Sequence, residues 1–201
     1  MRILLYKSIK NECPMKDVRS LFRKAKPIHK SLLSEVEGLS SNNPMAKNLY
    51  SSFVLIALWL ADDKRITPER WKIIFEKAMN RPILVRLFGR TNLNDPKTMK
   101  KFGERMKANA RWAQEHPSDY NTWDFHFDGA VHRKGFAYYF THCPIASFCK
   151  EHGIEEIMDA ICPIDYANFA MHHGKLIREH TLAKGGEICD FWVVGDEERY
   201  D

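Results

Sequence analysis

The spacing of apolar residues changes at about residue 121, and this change constrains the fold more than any other feature of the chain. Before it, apolar residues recur at helical spacing, in segments that start with a capping residue and a proline, as at Asp95-Pro96. After it, residues 123–128 alternate apolar with polar side chains, and residues 135–141 are rich in aromatic residues. The chain is therefore predicted to be helical first and to form strands only in its second part.

The first part is predicted to contain several amphipathic helices. Their apolar stripes indicate packing in a core, and Pro27 is expected to kink or split one of them because proline removes a backbone donor. The predicted helices are residues 17–36, a helix from Asn43-Pro44 to Ala61, one starting at Thr67-Pro68, and one from Asp95-Pro96 to about His116.

The second part is predicted to alternate strand pairs with helices. Strands at 123–128 and 135–141 are joined by a turn near 131–134, and strands at 175–183 and 187–194 form a hairpin about Gly185-Gly186. Short helices are predicted to start at Pro144, at Ile154 and at Pro163. The predicted class is α+β: a helical N-terminal part followed by a four-stranded, mainly antiparallel sheet with helices inserted between the strand pairs. The helical region 1–121 and the cysteine-containing α+β region 122–201 are expected to form one compact unit.

The composition is that of a soluble globular protein rather than a membrane or exported one. Hydrophobic residues make up 44% and charged residues 28% of the 201 positions. The most apolar run, residues 53–61, is too short to span a bilayer and does not have the features of a signal peptide. Five cysteines, an odd number without a dense framework, favour the reducing cytoplasm.

The net charge of +5 conceals an asymmetry between the two parts. Residues 1–121 hold 24 Lys and Arg against 12 Asp and Glu, whereas residues 122–201 hold 7 against 14. The basic residues are spread over several amphipathic segments, without the signature of a known nucleic-acid-binding motif. We therefore expect no nucleic-acid partner, and the cysteines direct attention to the acidic part.

The tripeptide Cys-Pro-Ile occurs twice, at Cys143 and at Cys162. Proline favours the first helical position, so each cysteine is predicted at or near a helix N-cap, where the helix dipole promotes thiolate formation. The alternative is that each is a small buried apolar residue. Asp165 follows Cys162 by three residues, a spacing that suits either a capping box or an acid/base beside a nucleophile.

A two-residue turn at Gly185-Gly186 would pair Lys184 with Glu187 and so fix the faces of the hairpin. Arg178 and Cys189 then share one face. Thr181 and Asp190 share the other. This strand pair is unusually polar for one that packs on helices.

Other common sites are absent from the sequence pattern. There is no Cys-x-x-Cys pair with zinc spacing, no phosphate-binding loop, no dinucleotide fingerprint and no Gly-x-Ser-x-Gly. We therefore predict neither a metal nor a cofactor.

From about Tyr139 onward the chain resembles the L-2-amino-thiazoline-4-carboxylic acid hydrolase family. The resemblance is carried by an ordered set of residues: Cys143-Pro144-Ile145-Ala146, Gly153, Glu156, Cys162, Asp165, Leu176, Arg178, Thr181, Ala183, Gly185-Gly186 and Cys189-Asp190-Phe191. The N-terminal part, including Asn43-Pro44-Met45, resembles the family more loosely.

The resemblance implies hydrolysis of a small cyclic amidine such as 2-amino-thiazoline-4-carboxylate to N-carbamoyl-L-cysteine. The nucleophile would be Cys162 or water activated by Asp165 or Asp190, and the remaining aspartate would face the amidine. Thr181, Cys189 or a histidine would protonate the leaving thiolate. Arg178 would hold the substrate carboxylate. Catalytic roles are thus expected for Cys162, Asp165, Cys189 and Asp190, and substrate binding for Arg178, Thr181 and Cys143.

Two other classes of function fit the same residues. One is a binding or sensor module whose cysteines only line a pocket for a small ligand, and the other is a metal or redox sensor. Thiol reactivity distinguishes the first from an enzyme with a nucleophilic cysteine, and metal content reveals the second.

Overall fold

The computed structural model describes residues 2–12, 18–36, 42–117, 122–127 and 134–199. Helices occupy most of the first part, and within these ranges strands appear only from Asp124 onward, as the change in apolar spacing predicts. The helices before the sheet are α1 (Arg2–Glu12), α2 (Val18–Glu35), α3 (Ala46–Ala61), α4 (Pro68–Met79), α5 (Pro82–Phe88) and α6 (Pro96–Glu115). Those inserted among the strands are α7 (Pro144–Glu151), α8 (Met158–Ile161) and α9 (Ile164–Ala170).

The predicted helix starts agree with the capping chemistry. The side chains of Thr67 and Asp95 accept hydrogen bonds from backbone N–H groups in the first turns of α4 and α6, and proline follows each cap. Pro27 does not split α2, which continues through it. Burial of Leu21, Ala25 and Leu32 along one face holds the helix together.

A four-stranded antiparallel sheet forms the second layer. Its strands are β1 (Asp124–His126), β2 (Phe136–His142), β3 (Gly174–Ile177) and β4 (Cys189–Gly195), in the order β1-β2-β4-β3. Every neighbouring pair is antiparallel, which confirms the predicted α+β class. β4 lies between β2 and β3 and is therefore a central strand.

Helices and sheet share one apolar core. Phe102 of α6 makes ring contacts with Phe136 and Tyr138 of β2 and with Phe169 of α9, at centroid distances of 5.7 to 6.3 Å. Helix α4 packs on α8 and α9, and Trp71 and Phe75 of α4 are almost fully buried. This packing fixes α8 and α9 against the sheet, and the candidate site lies where these elements meet.

Helices α1 and α5 have no counterpart among the predicted elements. Helix α1 packs on α4 and buries Leu5 and Ile9. The predicted turn near 131–134 lies largely outside the described residues. No helix in the described ranges is long and apolar enough to cross a membrane.

Gly135, at the start of β2, is expected to be indispensable for stability. Its φ is +75°, and a Cβ there would collide with the carbonyl oxygen of Val193 on β4. We expect Gly135→Ala to lower the free energy of unfolding by about 2–4 kcal/mol, as measured by urea denaturation.

Gly153 provides the matched control for that substitution. Its φ is +60°, but a Cβ there would meet no atom within 4 Å. Gly153→Ala should therefore cost only about 1 kcal/mol, from the left-handed backbone alone. Equal losses in the two variants would contradict the collision in Gly135→Ala.

Candidate active site

The register of the sheet brings Cys189 into the interior. Cys189 lies opposite Phe140, and Phe191 lies opposite Tyr138, whose ring stacks on it at 5.0 Å. Because alternate residues of a strand share a face, these four side chains line the covered face of the sheet. Cys189 is 8% exposed.

Cys162 lies at the junction of α8 and α9, but it does not cap a helix N-terminus. Its backbone is helical, with φ −56° and ψ −37°, and it forms the C-cap of α8. Its N–H donates to the carbonyl of Met158 at 2.9 Å, so the predicted capping box with Asp165 does not form. Asp165 is free to take another partner because the Cys162 amide is already bonded.

That partner is Arg178, which follows β3. Its Nη1 donates to Oδ2 of Asp165 at 2.9 Å, and its Nη2 donates to the carbonyl oxygen of Cys162 at 2.9 Å. The rings of Tyr166 and Phe191 lie 5.0 and 5.2 Å from the guanidinium carbon, at distances typical of cation–π contacts. Only 3% of the Arg178 side chain is exposed, so this cation joins α9 to the sheet from the inside.

Asp165 differs from its partner because water reaches it. Its side chain is 42% exposed, so the carboxylate is surrounded by protein and open to solvent on one side. Burial raises the pKa of Asp165 above its ordinary value, and the positive charge of Arg178 opposes that rise in pKa. An aspartate in this position is a stronger base than one on an open surface.

Three thiols surround this ion pair: Cys143, Cys162 and Cys189, which we call the thiol cluster. Each lies within electrostatic range of the other two and of Asp165. Burial raises the pKa of all three thiols, to about 11 for Cys189, although Arg178 lowers the pKa of Cys162 and Cys189. The predicted tendency of Cys143 and Cys162 to ionise is not supported, because burial raises the pKa of both thiols and Cys162 does not lie at a helix N-terminus.

Cys143 does lie at a helix N-cap, so hydrogen bonds that lower its pKa compete there with burial, which raises it. It precedes Pro144 at the start of α7, as predicted. The N–H groups of Ile145 and Ala146 and the Trp123 side chain all lower its pKa, yet burial leaves the net pKa raised. A cap position does not suffice to produce a thiolate when the sulfur is enclosed.

The thiol cluster should therefore react slowly with alkylating agents. A rise in the pKa of Cys189 from its ordinary 9.0 to about 11 lowers the thiolate fraction at neutral pH by about 100-fold. We expect iodoacetamide labelling, followed residue by residue by mass spectrometry, to be at least that much slower in native than in urea-unfolded protein. Labelling of Cys162 as fast in the native state as in urea would contradict its enclosure.

The segment between β3 and β4 is a wide loop rather than the predicted tight hairpin. Residues 178–188 separate the strands and include a 3-10 turn, Leu182–Lys184, followed by Gly185 at φ +81°. Ile177 lies opposite Trp192, where the predicted ladder would place it opposite Val194. Because the shift is an even number of residues, Arg178 keeps its predicted position on the face of Cys189 and Phe191.

Asp190 ties this loop to the sheet. Its carboxylate accepts hydrogen bonds from the backbone N–H groups of Glu179 at 3.0 Å and His180 at 2.6 Å. The structure thus gives Asp190 a role in holding the loop and brings Asp165, Arg178 and the thiol cluster together without it.

Two enclosed polar atoms on the same loop have no hydrogen-bond partner among the described residues. They are Nε of Arg178 and Oγ1 of Thr181. Buried polar atoms are ordinarily paired, so such atoms commonly mark a functional site or a bound water. Thr181 otherwise uses its carbonyl oxygen to accept from Lys184 and Gly186 at the turn.

Two residues at the site were not predicted from the sequence. Tyr138 is buried, and its pKa is raised by burial and by the charge of Asp165, so its phenol is protonated near neutral pH. Tyr166 covers Arg178 and is 42% exposed. Alternation along 135–141 places Tyr138 with Phe136 and Phe140 on the covered face, which is the signal that would have identified it.

The grouping of these side chains does not resemble a metal centre. Within the described ranges, no three His, Cys, Asp or Glu side chains are placed to hold one ion. The chemistry available to these residues is proton transfer at a partly enclosed carboxylate, beside a fixed cation and neutral thiols.

Comparison with known proteins agrees with this combination of residues. A search of curated proteins gave no match. The family model described as L-2-amino-thiazoline-4-carboxylic acid hydrolase matches residues 47–193, which span most of the chain from α3 to β4 and include the entire ion pair and thiol cluster. The chain therefore belongs to the L-2-amino-thiazoline-4-carboxylic acid hydrolase family.

Proposed function

We propose that the protein opens a small cyclic amidine such as 2-amino-thiazoline-4-carboxylate by hydrolysis, with Asp165 as the general base that activates water. The observation that carries this proposal is the state of Asp165. Its carboxylate is open to water, has a raised pKa and is held at 2.9 Å by a cation that is itself only 3% exposed. A positioned carboxylate of this kind accepts a proton readily and cannot turn away.

The thiols support activated water over a cysteine nucleophile. A covalent mechanism needs a thiolate, and burial raises the pKa of Cys143, Cys162 and Cys189 instead of lowering it. Asp165 itself adds to that rise, because its negative charge opposes a second negative charge nearby. Cys162 then lines the site and supplies its carbonyl oxygen to Arg178, rather than attacking the ring.

The proposed reaction balances with one water molecule. Asp165 takes a proton from water as the oxygen adds to the ring carbon between nitrogen and sulfur. The carbon–sulfur bond then breaks, and the electron pair leaves on sulfur. One proton of the water ends on the former ring nitrogen and the other on the sulfur, which gives the urea and the free thiol of N-carbamoyl-L-cysteine.

In this proposal Arg178 acts mainly through Asp165. Both of its Nη atoms are engaged, with Asp165 and with the Cys162 carbonyl, so it contributes positive charge near the substrate carboxylate rather than a bidentate contact. Asp190 fixes the loop that bears Thr181, and the unpartnered Thr181 hydroxyl is retained as a substrate-binding group.

The cysteine-lined binding module is the second candidate. The enclosure of three neutral thiols is what such a pocket would show, and it favours this candidate over a thiol-dependent enzyme. A binding module retains its ligand unchanged, whereas a hydrolase releases one thiol for each ring it opens.

The test is an assay of thiol release from 2-amino-thiazoline-4-carboxylate in isotopically labelled water. Activated water predicts catalytic turnover, with one labelled oxygen in the carbamoyl group of the product. Binding of the compound without turnover would support the binding module. If turnover stops after one equivalent of substrate per protein and mass is added to Cys162, the nucleophile is the Cys162 thiol and not water.

A further inference from the structure

Helix α5 is an apolar helix on the surface of the molecule. Ile83 is 65% exposed, and Val85 and Phe88 are each 42% exposed. None of its six residues whose side chains are described is buried. Isolated exposed apolar side chains are common in proteins, but Val85 and Phe88 share one side of α5 and Ile83 is exposed on another, so this short helix presents apolar surface on more than one side.

The length of α5 adds to this argument. It has seven residues, and helices below about 12 residues are marginal in water without packing. Among the described residues, its side-chain contacts with the rest of the chain are few. Arg81, its N-cap, donates to Ser8 Oγ at 3.4 Å, and the Phe88 ring lies 5.9 Å from the ring of His172. A helix with so little cover gains stability from a partner.

The charges beside α5 indicate what that partner is. Within the part of the chain that the structure describes, Arg86 and Arg90 have no ion-pair partner, and neither does Glu197. Glu197 belongs to an acidic turn, residues 196–198, which is linked to the end of α5 through His172 and His173. Phe88 contacts His172, and the following His173 pairs with Asp196 at 3.5 Å and accepts the Asp196 N–H at 3.1 Å.

A surface that carries an apolar helix, unpaired cations and an unpaired anion is complementary to itself. In a two-fold dimer the same patch occurs on both subunits, so a basic group on one faces an acidic group on the other. An anionic membrane would attract Arg86 and Arg90 but repel the acidic turn. We propose that α5 and the acidic turn form the interface between two copies of this chain, with Arg86 and Arg90 directed toward Glu197 of the partner subunit.

The apolar part of this interface is tested by Ile83→Glu. Sedimentation equilibrium over a range of concentrations should show a monomer–dimer equilibrium for the parent protein and a dissociation constant at least about tenfold higher for the variant. Tyr50→Glu is the matched control, because Tyr50 is an exposed apolar side chain, 38% exposed, on a different helix. Far-ultraviolet circular dichroism should show that all three proteins are folded, and the control should dimerise as the parent does.

The charged part is tested by reversing the signs. Arg86→Glu with Arg90→Glu should weaken the dimer, Glu197→Arg alone should also weaken it, and the three changes in one chain should restore much of the association. A parent protein that stays monomeric at its highest soluble concentration would overturn the proposal. So would dimerisation that survives Ile83→Glu, charge reversals that do not compensate, or binding of the parent to anionic vesicles in place of self-association.

Discussion

Replacing Asp165 by asparagine is expected to lower kcat/KM for ring opening by about 10²- to 10⁴-fold. The amide has nearly the same size and can still accept a hydrogen bond from Arg178, so the fold should be preserved, but it cannot take a proton from water. The measurement is thiol release from 2-amino-thiazoline-4-carboxylate under subsaturating conditions. In the parent protein the rate should fall as the pH drops through the raised pKa of Asp165, because protonation removes the base.

Two further variants test whether the loss of activity comes from the loss of Asp165 as a base. Asp159→Asn is the matched control, because Asp159 lies on α8, is 53% exposed and contacts Lys184 at 3.6 Å. We expect it to have the activity of the parent. Cys162→Ala should keep most of the activity, since its thiol is neutral and its contact with Arg178 is made by the backbone. Near-parent activity in Asp165→Asn, or a loss in Cys162→Ala as large as that expected for Asp165→Asn, would refute activated water.

Replacing Arg178 by leucine is expected to cost about 2–4 kcal/mol of unfolding free energy. The change removes the cation that pairs with Asp165, the donor to the Cys162 carbonyl and the contacts with Tyr166 and Phe191 at once. The estimate is below that for a fully buried pair, because Asp165 is 42% exposed and water can solvate it in part. Urea denaturation measures the loss.

Arg178→Lys tests the effect of Arg178 on the pKa of Asp165, in a variant that is expected to remain folded. Lysine keeps the positive charge but cannot bridge Asp165 and the Cys162 carbonyl with one planar group. Because Arg178 lowers the pKa of Asp165, weakening that contact should move the acidic limb of the pH–rate profile to higher pH. A change in rate with no movement of that limb would show that Arg178 acts on the substrate directly rather than through Asp165.

The order of the elements was predictable because it depends on local chemistry. The caps at Thr67 and Asp95, the prolines that follow them and the alternation in 135–141 all act within a few residues of where the element starts. Helix α5 was not predicted. Its apolar residues show no stripe facing the core, and in the structure none of its described side chains is buried.

The proximity of four candidate site residues was predictable from the sequence, but their protonation states were not. Cys162, Asp165, Arg178 and Cys189 do meet, and the even register shift kept Arg178 on the correct face. Whether a thiol at Cys143 or Cys162 ionises depends on desolvation by neighbours far along the chain, which local sequence does not report. The hairpin turn was wrong for a similar reason. The Asp190 carboxylate, two residues into β4, competes for the backbone N–H groups that a tight hairpin would pair.

The hydrogen bonds that Asp190 accepts affect how the loop 178–188 can vary in length. The Asp190 carboxylate, rather than a ladder of strand pairs, holds the start of the loop 178–188 against β4. The middle of the loop can therefore gain or lose residues while β3 and β4 keep their pairing and Arg178 keeps its place. A chain built in this way can alter the shape of what it admits to the site without rebuilding the sheet beneath it.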